Sequence, residues 1–469
     1  MFLRSFFDEN LAQMSYLIGC QQTNEAIIID PARETEDYFE TAEKEGLKIV
    51  AAAETHIHAD FLSGARELAV NHDIKLYLSD EGDEDWKYDY AENINASLLK
   101  DGSEFKLGKI KFEVMHTPGH TPESISFILT DEGGGSKEPM GIFTGDFVFV
   151  GDIGRPDLLE KAAGIADTAQ IGARQMFHSL QKFKQLPDFL QVWPGHGAGS
   201  ACGKALGAVP MTTVGYEKIN NWALRTNNEV EFVKILLSGQ PEPPRYFAMM
   251  KKLNKISLDL INQEQTTQLS SVSELEKNKN GAVLIDTRDA FEFSKSHLKE
   301  SINIPFNKSF TNWAGWLLDY DQDIILIAPK KNIEAIKMSL RSIGLDKVIA
   351  AAEPSLALED ENKLESYDEI SVQQLQEYLQ VDNYYLIDVR NNSEWEEGRI
   401  AGAHHIMLGT LVDQIEELPK EKTYLMQCRS GARSAIATSL MQANGFKNVL
   451  NVKGGYLAWT KEKFPITKR

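Results

Sequence analysis

Two histidines and an aspartate alternate in Thr55-His56-Ile57-His58-Ala59-Asp60-Phe61, directly after the apolar run Ile49 to Ala53. A loop at a strand end with that spacing can aim several ligand atoms at one ion. Three more turns are built alike, with His120 in Thr117-Pro118-Gly119-His120-Thr121, Asp146 in Thr144-Gly145-Asp146, and His196 in Trp193-Pro194-Gly195-His196-Gly197. Each follows an apolar run and contains glycine, which lets a side chain reach an ion without backbone obstruction. Any one of these histidines alone is more often a packed or surface residue than a ligand. A different chemistry lies near the other end, in Gln427-Cys428-Arg429-Ser430-Gly431-Ala432-Arg433-Ser434. A cysteine at a strand end, followed by a glycine-containing loop into a helix, faces backbone N–H dipoles that stabilise a thiolate and bind anions. Arg429 and Arg433 add positive charge there.

These groups need scaffolds. Over residues 1 to about 240, short apolar runs predict strands at Met14 to Ile18, Ala26 to Ile29, Ile110 to Met115, Ile125 to Leu129, Ile142 to Phe143 and Leu190 to Trp193. Thr35 to Glu45 and Ala162 to Phe183 read as helices, so this half is an α/β layered domain. Gln240-Pro241-Glu242-Pro243-Pro244 ends it. Sliding the rest on itself by about 100 residues aligns Val283-Leu284-Ile285-Asp286-Thr287-Arg288 with Tyr385-Leu386-Ile387-Asp388-Val389-Arg390, and Ser339-Leu340 with Ser439-Leu440. Two copies of one α/β module therefore follow, joined by the acidic stretch Leu358 to Glu369. The expected domains are 1–245, 246–357 and 358–469.

A chain of 469 residues exceeds one core, and about 100 to 200 residues per domain suggests three. The net charge of −20 disfavours a nucleic-acid partner, which demands clustered lysine and arginine. Three isolated cysteines, Cys20, Cys202 and Cys428, form neither a disulfide framework nor a zinc knuckle. With no apolar run of roughly 18 residues and no signal-peptide pattern at Met1 to Asn10, a cytoplasmic protein is the expectation.

The order of the four metal-type turns resembles the metallo-β-lactamase superfamily over roughly residues 1 to 240, which implies an αββα sandwich. Those hydrolases usually carry a histidine directly after the aspartate of the opening motif, to hold a second metal; here it is Phe61. The departure resembles the persulfide dioxygenases, relatives of glyoxalase II that bind one iron. That resemblance implies His56, His120 and Asp146 as ligands of one Fe(II) per chain. Such a 2-His-1-carboxylate face keeps open positions for a substrate thiolate and O₂. His58, Asp60 and His196 become candidates for orienting ligands and water, or retain superfamily packing. Arg155, in Gly154-Arg155-Pro156-Asp157, resembles a substrate-contacting arginine that would grip a carboxylate of the persulfide carrier; the alternative is a loop-bracing ion pair. Cys202, six residues beyond His196, is expected either to handle sulfane sulfur catalytically or to fill buried space.

The Cys-x-x-Gly-x-Arg-Ser pattern at Cys428 resembles rhodanese sulfurtransferases over about residues 368 to 469. Cysteine phosphatase loops usually have five residues between cysteine and arginine; Cys428 and Arg433 have four between them. The resemblance implies Cys428 as nucleophile, Arg429 and Arg433 as catalytic helpers, and Ser430, Gly431, Ala432 and Ser434 as the substrate cradle. The first copy, with Ala328-Pro329-Lys330-Lys331 at the equivalent place, has no cysteine and cannot transfer sulfur.

Together the three parts resemble the multidomain, sulfide-detoxifying persulfide dioxygenases. The implied activity is oxidation of low-molecular-weight thiol persulfides (glutathione, coenzyme A or cysteine type) with O₂ to sulfite, followed by sulfur transfer through Cys428 to give thiosulfate. A homo-oligomer is expected from that resemblance. The alternative is a zinc-dependent thioester hydrolase of the glyoxalase II kind, which Phe61 disfavours.

Overall fold

The computed structural model describes residues 1–158, 160, 168–256, 260–261, 266–380 and 384–468. Two compact units are present: Met1–Asn262 with Arg341–Gly344, and Gln263–Leu340 with Leu345–Arg469.

The first unit stacks two six-stranded sheets. One has the order β1 (Phe2–Asp8), β2 (Gln13–Cys20), β3 (Glu25–Ile29), β4 (Lys48–Ala53), β5 (Lys75–Ser79), β6 (Ala96–Leu99). The other runs β7 (Glu104–Leu107), β8 (Ile110–His116), β9 (Ile125–Asp131), β10 (Gly141–Gly145), β11 (Gln191–Pro194), β12 (Thr212–Thr213). Strand β2 shows why the layers form. Met14, Tyr16 and Ile18 alternate into the core between the sheets, against Phe112, Phe127, Phe143 and Trp193, while Leu17 faces the other way. That outer face is covered by α1 (Glu36–Lys44) and α2 (Ala65–His72), whose Tyr38, Ala42 and Leu68 join Leu17, Ile28 and Ala52. On the opposite side α3 (Thr168–Phe183) lays Ala173, Met176 and Leu180 on Ile142 and Val192. The αββα layering is thus the expected one. Of the helix expected over 162–183, residues 168–183 are helical and the preceding part lies outside the described residues.

The prolines at 241, 243 and 244 do not end this unit. Helix α4 (Tyr246–Lys255) follows them within it, with Tyr246, Phe247, Met250 and Leu253 buried. An expected boundary at 245/246 therefore falls inside a compact unit, because an amphipathic helix after a proline turn buries its apolar face like any other.

The second unit contains two five-stranded parallel sheets of identical topology. The first is ordered β13 (Thr267–Gln268), β17 (Val348–Ala352), β16 (Asp323–Ile327), β14 (Ala282–Asp286), β15 (Ser301–Asn303). The second is β18 (Glu369–Ile370), β22 (Val449–Val452), β21 (Thr423–Gln427), β19 (Tyr384–Asp388), β20 (His404–His405). Between them, 358–369 is not a free linker: Leu364–Glu365 pairs with His297–Leu298, and β18 begins at Glu369. The repeated Asp-x-Arg ends β14 and β19 with the same ion pair. Arg288 Nη2 lies 2.6 Å from Asp286 Oδ2, and Arg390 Nη2 lies 2.7 Å from Asp388 Oδ2. Further helices are α5 (Phe310–Leu317), α6 (Ile333–Arg341), α7 (Leu408–Gln414) and α8 (Ala432–Ala443). No helix among the described residues is long and apolar enough to cross a membrane.

Candidate metal centre and cysteine loop

Strand ends gather the metal-type residues. His56 follows β4, His120 follows β8, Asp146 follows β10 and His196 follows β11; all four are buried. An Ile125 N–H donated to the Thr55 carbonyl (2.8 Å) ties the opening loop to β9. Gly145, at φ +48°, makes the close approach possible, because a Cβ there would meet Thr55 Oγ1.

Asp146 is the hub. Its Oδ2 is 3.9 Å from His56 Nε2 and 3.4 Å from His120 Nε2, and its Oδ1 is 3.3 Å from His196 Nε2. Each imidazole is held by its other nitrogen: Nδ1 of His56 to Thr55 Oγ1 (3.0 Å), of His120 to the Arg155 carbonyl (2.9 Å), of His196 to the Ala12 carbonyl (3.1 Å). Thr55 Oγ1 itself donates to Asp30 Oδ2 (2.9 Å), so it accepts from His56. With Nδ1 protonated, the Nε2 lone pairs of His56 and His120 face inward, the orientation in which histidine binds a metal. Burial first, then neighbouring His58, His120 and His196, hold the His56 pKa well below the ordinary histidine value. His120 is likewise lowered by burial, although Asp146 opposes. Neutral rings are what a cation needs. His56 Nε2 and both oxygens of Asp146 are buried with no hydrogen-bond partner among the described residues. Orphaned, desolvated acceptors of this kind are costly unless a cation satisfies them, so the donor set fits a metal.

Other sequence-singled residues divide. Asp60 Oδ2 lies 3.0 Å from His196 Nε2, and the donor atoms of Asp60, His196 and Cys202 all lie within 4.8 Å of one another. Burial disfavours charge on His196, but Asp146 and Asp60 outweigh it and lift its pKa to about 9. Cys202 is buried, and burial followed by Asp146 and Asp60 pushes its thiol well up, toward the protonated form. His58 turns away from the ligand cluster, with Nε2 3.2 Å from Asp30 Oδ1 and 3.3 Å from Glu54 Oε2. Those carboxylates overcome burial and raise its pKa well above the ordinary value. The Phe61 ring packs on that of His58, with centroids 4.3 Å apart and planes tilted by 38°. Arg155 is fully buried, not presented to a substrate. Its Nε and Nη2 reach Asp157 at 2.7 and 2.6 Å, Nη2 donates to the Pro241 carbonyl and Nη1 to that of Ala201. The guanidinium braces loops, because a charge buried at this depth requires its partner in place; toward the metal site Arg155 offers its carbonyl, to His120.

In the second unit β21 ends at Gln427 and Cys428 lies buried under an exposed rim of Arg429, Ser430 and Ala432. Gly431, at φ +102°, turns the chain so that its N–H points at Cys428 Sγ (3.1 Å) at the start of α8. Ser434 Oγ stands 3.5 Å from the sulfur and 2.7 Å from Asn451 Oδ1. Arg433 does not add an uncompensated charge: it forms a two-point pair with Glu394, Nη1–Oε2 2.7 Å and Nη2–Oε1 2.9 Å. Burial works against the Glu394 carboxylate, yet the Arg433 pairing outweighs it and lowers its pKa. In the other module the equivalent position is Ala328, and Glu353 Oε1 accepts the Lys330 N–H (2.9 Å), placing a carboxylate on the loop.

Sequence reasoning missed Glu394, Asn451, Glu123 and Asn254. Only Glu394 had a local signal, the capping-box spacing Asn391-x-x-Glu394, which the structure forms. Glu123 accepts the Ile57 N–H (2.8 Å), and Asn254 binds the opening loop at three backbone groups.

Comparison with known proteins agrees with this geometry. The metallo-beta-lactamase superfamily matches residues 9–196, and the rhodanese-like domain matches 271–352 and 371–462. The mitochondrial persulfide dioxygenase ETHE1 of Bos taurus is 28% identical over 239 residues, 50% of this chain and 80% of that protein. The "Putative sulfurtransferase YtwF" of Bacillus subtilis is 44% identical over 98 residues, 21% of this chain and 94% of that protein. A solved metallo-beta-lactamase structure from Staphylococcus aureus subsp. aureus COL is 45% identical with a TM-score of 0.69, covering 76% of this chain and 99% of that one. The chain belongs to the metallo-β-lactamase superfamily, with two rhodanese-like domains following that fold.

Proposed function

We propose that this enzyme is an iron-dependent persulfide dioxygenase coupled to a sulfurtransferase. The observation that carries the reading is the His56, His120 and Asp146 set, whose inward-facing donors number two nitrogens and one carboxylate, beside a Phe61 that offers none. Fe(II) held there would bind a persulfide sulfur and O₂ together. The chain's own groups then do the positioning. Thr55 Oγ1 and the Arg155 carbonyl hold His56 and His120 in one tautomer, and the buried site excludes bulk water. The net step is R–S–SH + O₂ + H₂O giving R–SH, sulfite and two protons, in which the outer sulfur is oxidised and O₂ reduced.

Cys428 thiolate attacks the outer sulfur of a second persulfide and releases R–S⁻; Gly431 N–H and Ser434 Oγ stand ready to hold the sulfur that accumulates. Sulfite then takes that sulfur, leaving thiosulfate and Cys428 thiolate. Similarity to ETHE1 and YtwF supports the two activities, and tethering raises the local concentration of sulfite at Cys428. The hydrolase alternative needs a further donor where Phe61 instead packs on His58. O₂ uptake by the Fe(II)-loaded full chain on glutathione, coenzyme A or cysteine persulfide tests the reading. Absence of O₂ consumption by iron-replete protein on all three overturns it.

A further inference from the structure

Helix α8 is buried on every side. Ser434 through Gln442, nine consecutive residues, are all buried, and nine residues span more than two turns. Its counterpart in the cysteine-free module, α6, buries Ile333, Ile336, Lys337, Ser339 and Leu340 on one side and exposes Glu334, Ala335 and Met338 on the other. A helix packed only on its own sheet keeps one polar, solvated face. The second cover on α8 comes from the other module: α8 packs against edge strand β15 as well as against its own β21 and β22.

The contact is specific. The backbone N–H of Asn303, on the outer side of β15, donates to Ser439 Oγ at 2.9 Å in a fully buried setting. Ser439 Oγ donates in turn to the Ile436 carbonyl (2.8 Å). The Asn303 side chain is itself bound to the carbonyls of Asp286 and Arg288, both at 2.9 Å, so the donor sits on a braced strand. A second contact is made by Trp316 of α5, whose ring occupies the space a Cβ at Gly409 of α7 would need; α7 packs against α8. Ser439 lies eight residues, roughly 12 Å of helix rise, beyond Gly431. A rigid helix fixed at Ser439 and flanked by α7 therefore sets where the Gly431 N–H points, and it points at Cys428 Sγ.

We infer that the cysteine-free module is a positioning element for the Cys428 loop, acting through Ser439 and Trp316 on the orientation of α8. Without a cysteine of its own, the module still contributes to the neighbouring site. Its edge strand supplies the N–H against which α8 is set, and its α5 the ring against which the neighbouring α7 is set. The inference deepens the sulfur-transfer reading of Cys428 and rests on it for its consequence in turnover.

The test uses full-length Ser439→Ala, Trp316→Ala and Trp316→Phe. Carbamidomethylation of Cys428 is followed from pH 6 to 10 on its own peptide by mass spectrometry, alongside kcat and KM for sulfur transfer from thiosulfate. Expected are a Cys428 profile displaced to higher pH and a kcat lowered by about threefold or more in both alanine variants, with unchanged O₂ uptake and with Trp316→Phe restoring both. Wild-type Cys428 profiles in folded Ser439→Ala and Trp316→Ala overturn the inference, as does a loss that Trp316→Phe fails to restore. If Ser439→Ala does not fold, the Trp316 pair decides alone. A wild-type protein with no sulfurtransferase activity but displaced variant profiles would sink the functional reading and leave the positioning role intact.

Discussion

The side-chain amide of Asn254 donates to the carbonyl of Phe61 at 2.7 Å, joining a residue from α4 to one 193 positions earlier. The same amide donates to the His58 carbonyl at 2.8 Å and accepts the Ser63 N–H at 2.9 Å. One buried side chain thus closes the loop that begins with the metal-type histidines.

Replacing Asn254 by aspartate keeps the shape and removes both N–H donors, so two buried carbonyls would face a carboxylate. Metal affinity of Asn254→Asp is expected to fall by roughly tenfold, the scale of lost outer-sphere support. Chelator competition measures it; wild-type affinity in a folded variant would reject the role.

Arg155 is braced on Asp157 and two carbonyls, so its removal is a stability event. Arg155→Met takes the guanidinium away from the buried Asp157 carboxylate and from two backbone carbonyls, and should lower stability by roughly 3–5 kcal/mol. Thermal unfolding read against persulfide KM decides: a raised KM with unaltered melting would restore the substrate-gripping role expected from the sequence.

Glu123 is buried, and burial raises its carboxyl from an ordinary 4.5 to about 7 despite the Ile57 N–H. A folded-state pKa above the unfolded one means the associated stability is complete below 4.5 and is lost as pH rises through about 7. The penalty above that pH is on the order of 3 kcal/mol. Glu123→Gln, which keeps an acceptor for Ile57, is expected to be more stable than wild type at about pH 8 and no more stable at about pH 4. Denaturant midpoints at the two pH values check the sign.

Cys428→Ser should consume O₂ as wild type does but release sulfite in place of thiosulfate. Ion chromatography of the products reads this directly, and a wild-type protein that makes only sulfite rejects the coupling.

Much of the chain could be read from its residues. The short apolar runs Met14 to Ile18 and Ile125 to Leu129 and the hundred-residue repeat pointed to the layered domain and the doubled module, because apolar runs and self-similarity are local properties of a sequence. His56, His120, Asp146 and Cys428 were likewise visible, each sitting in or beside a turn whose residues advertise a close approach. What one chain order cannot express is which side chains meet across elements. His58 carries the same motif signal as His56, yet Asp30 and Glu54, placed by β3 and β4, draw it away from the cluster. Arg155 looks like a free guanidinium until the fold buries it on Asp157, and Arg433 looks like a charge for Cys428 until Glu394 closes on it. Tertiary structure decided these because a buried charge takes its partner from whatever the packing brings near, and desolvation makes that pairing obligatory.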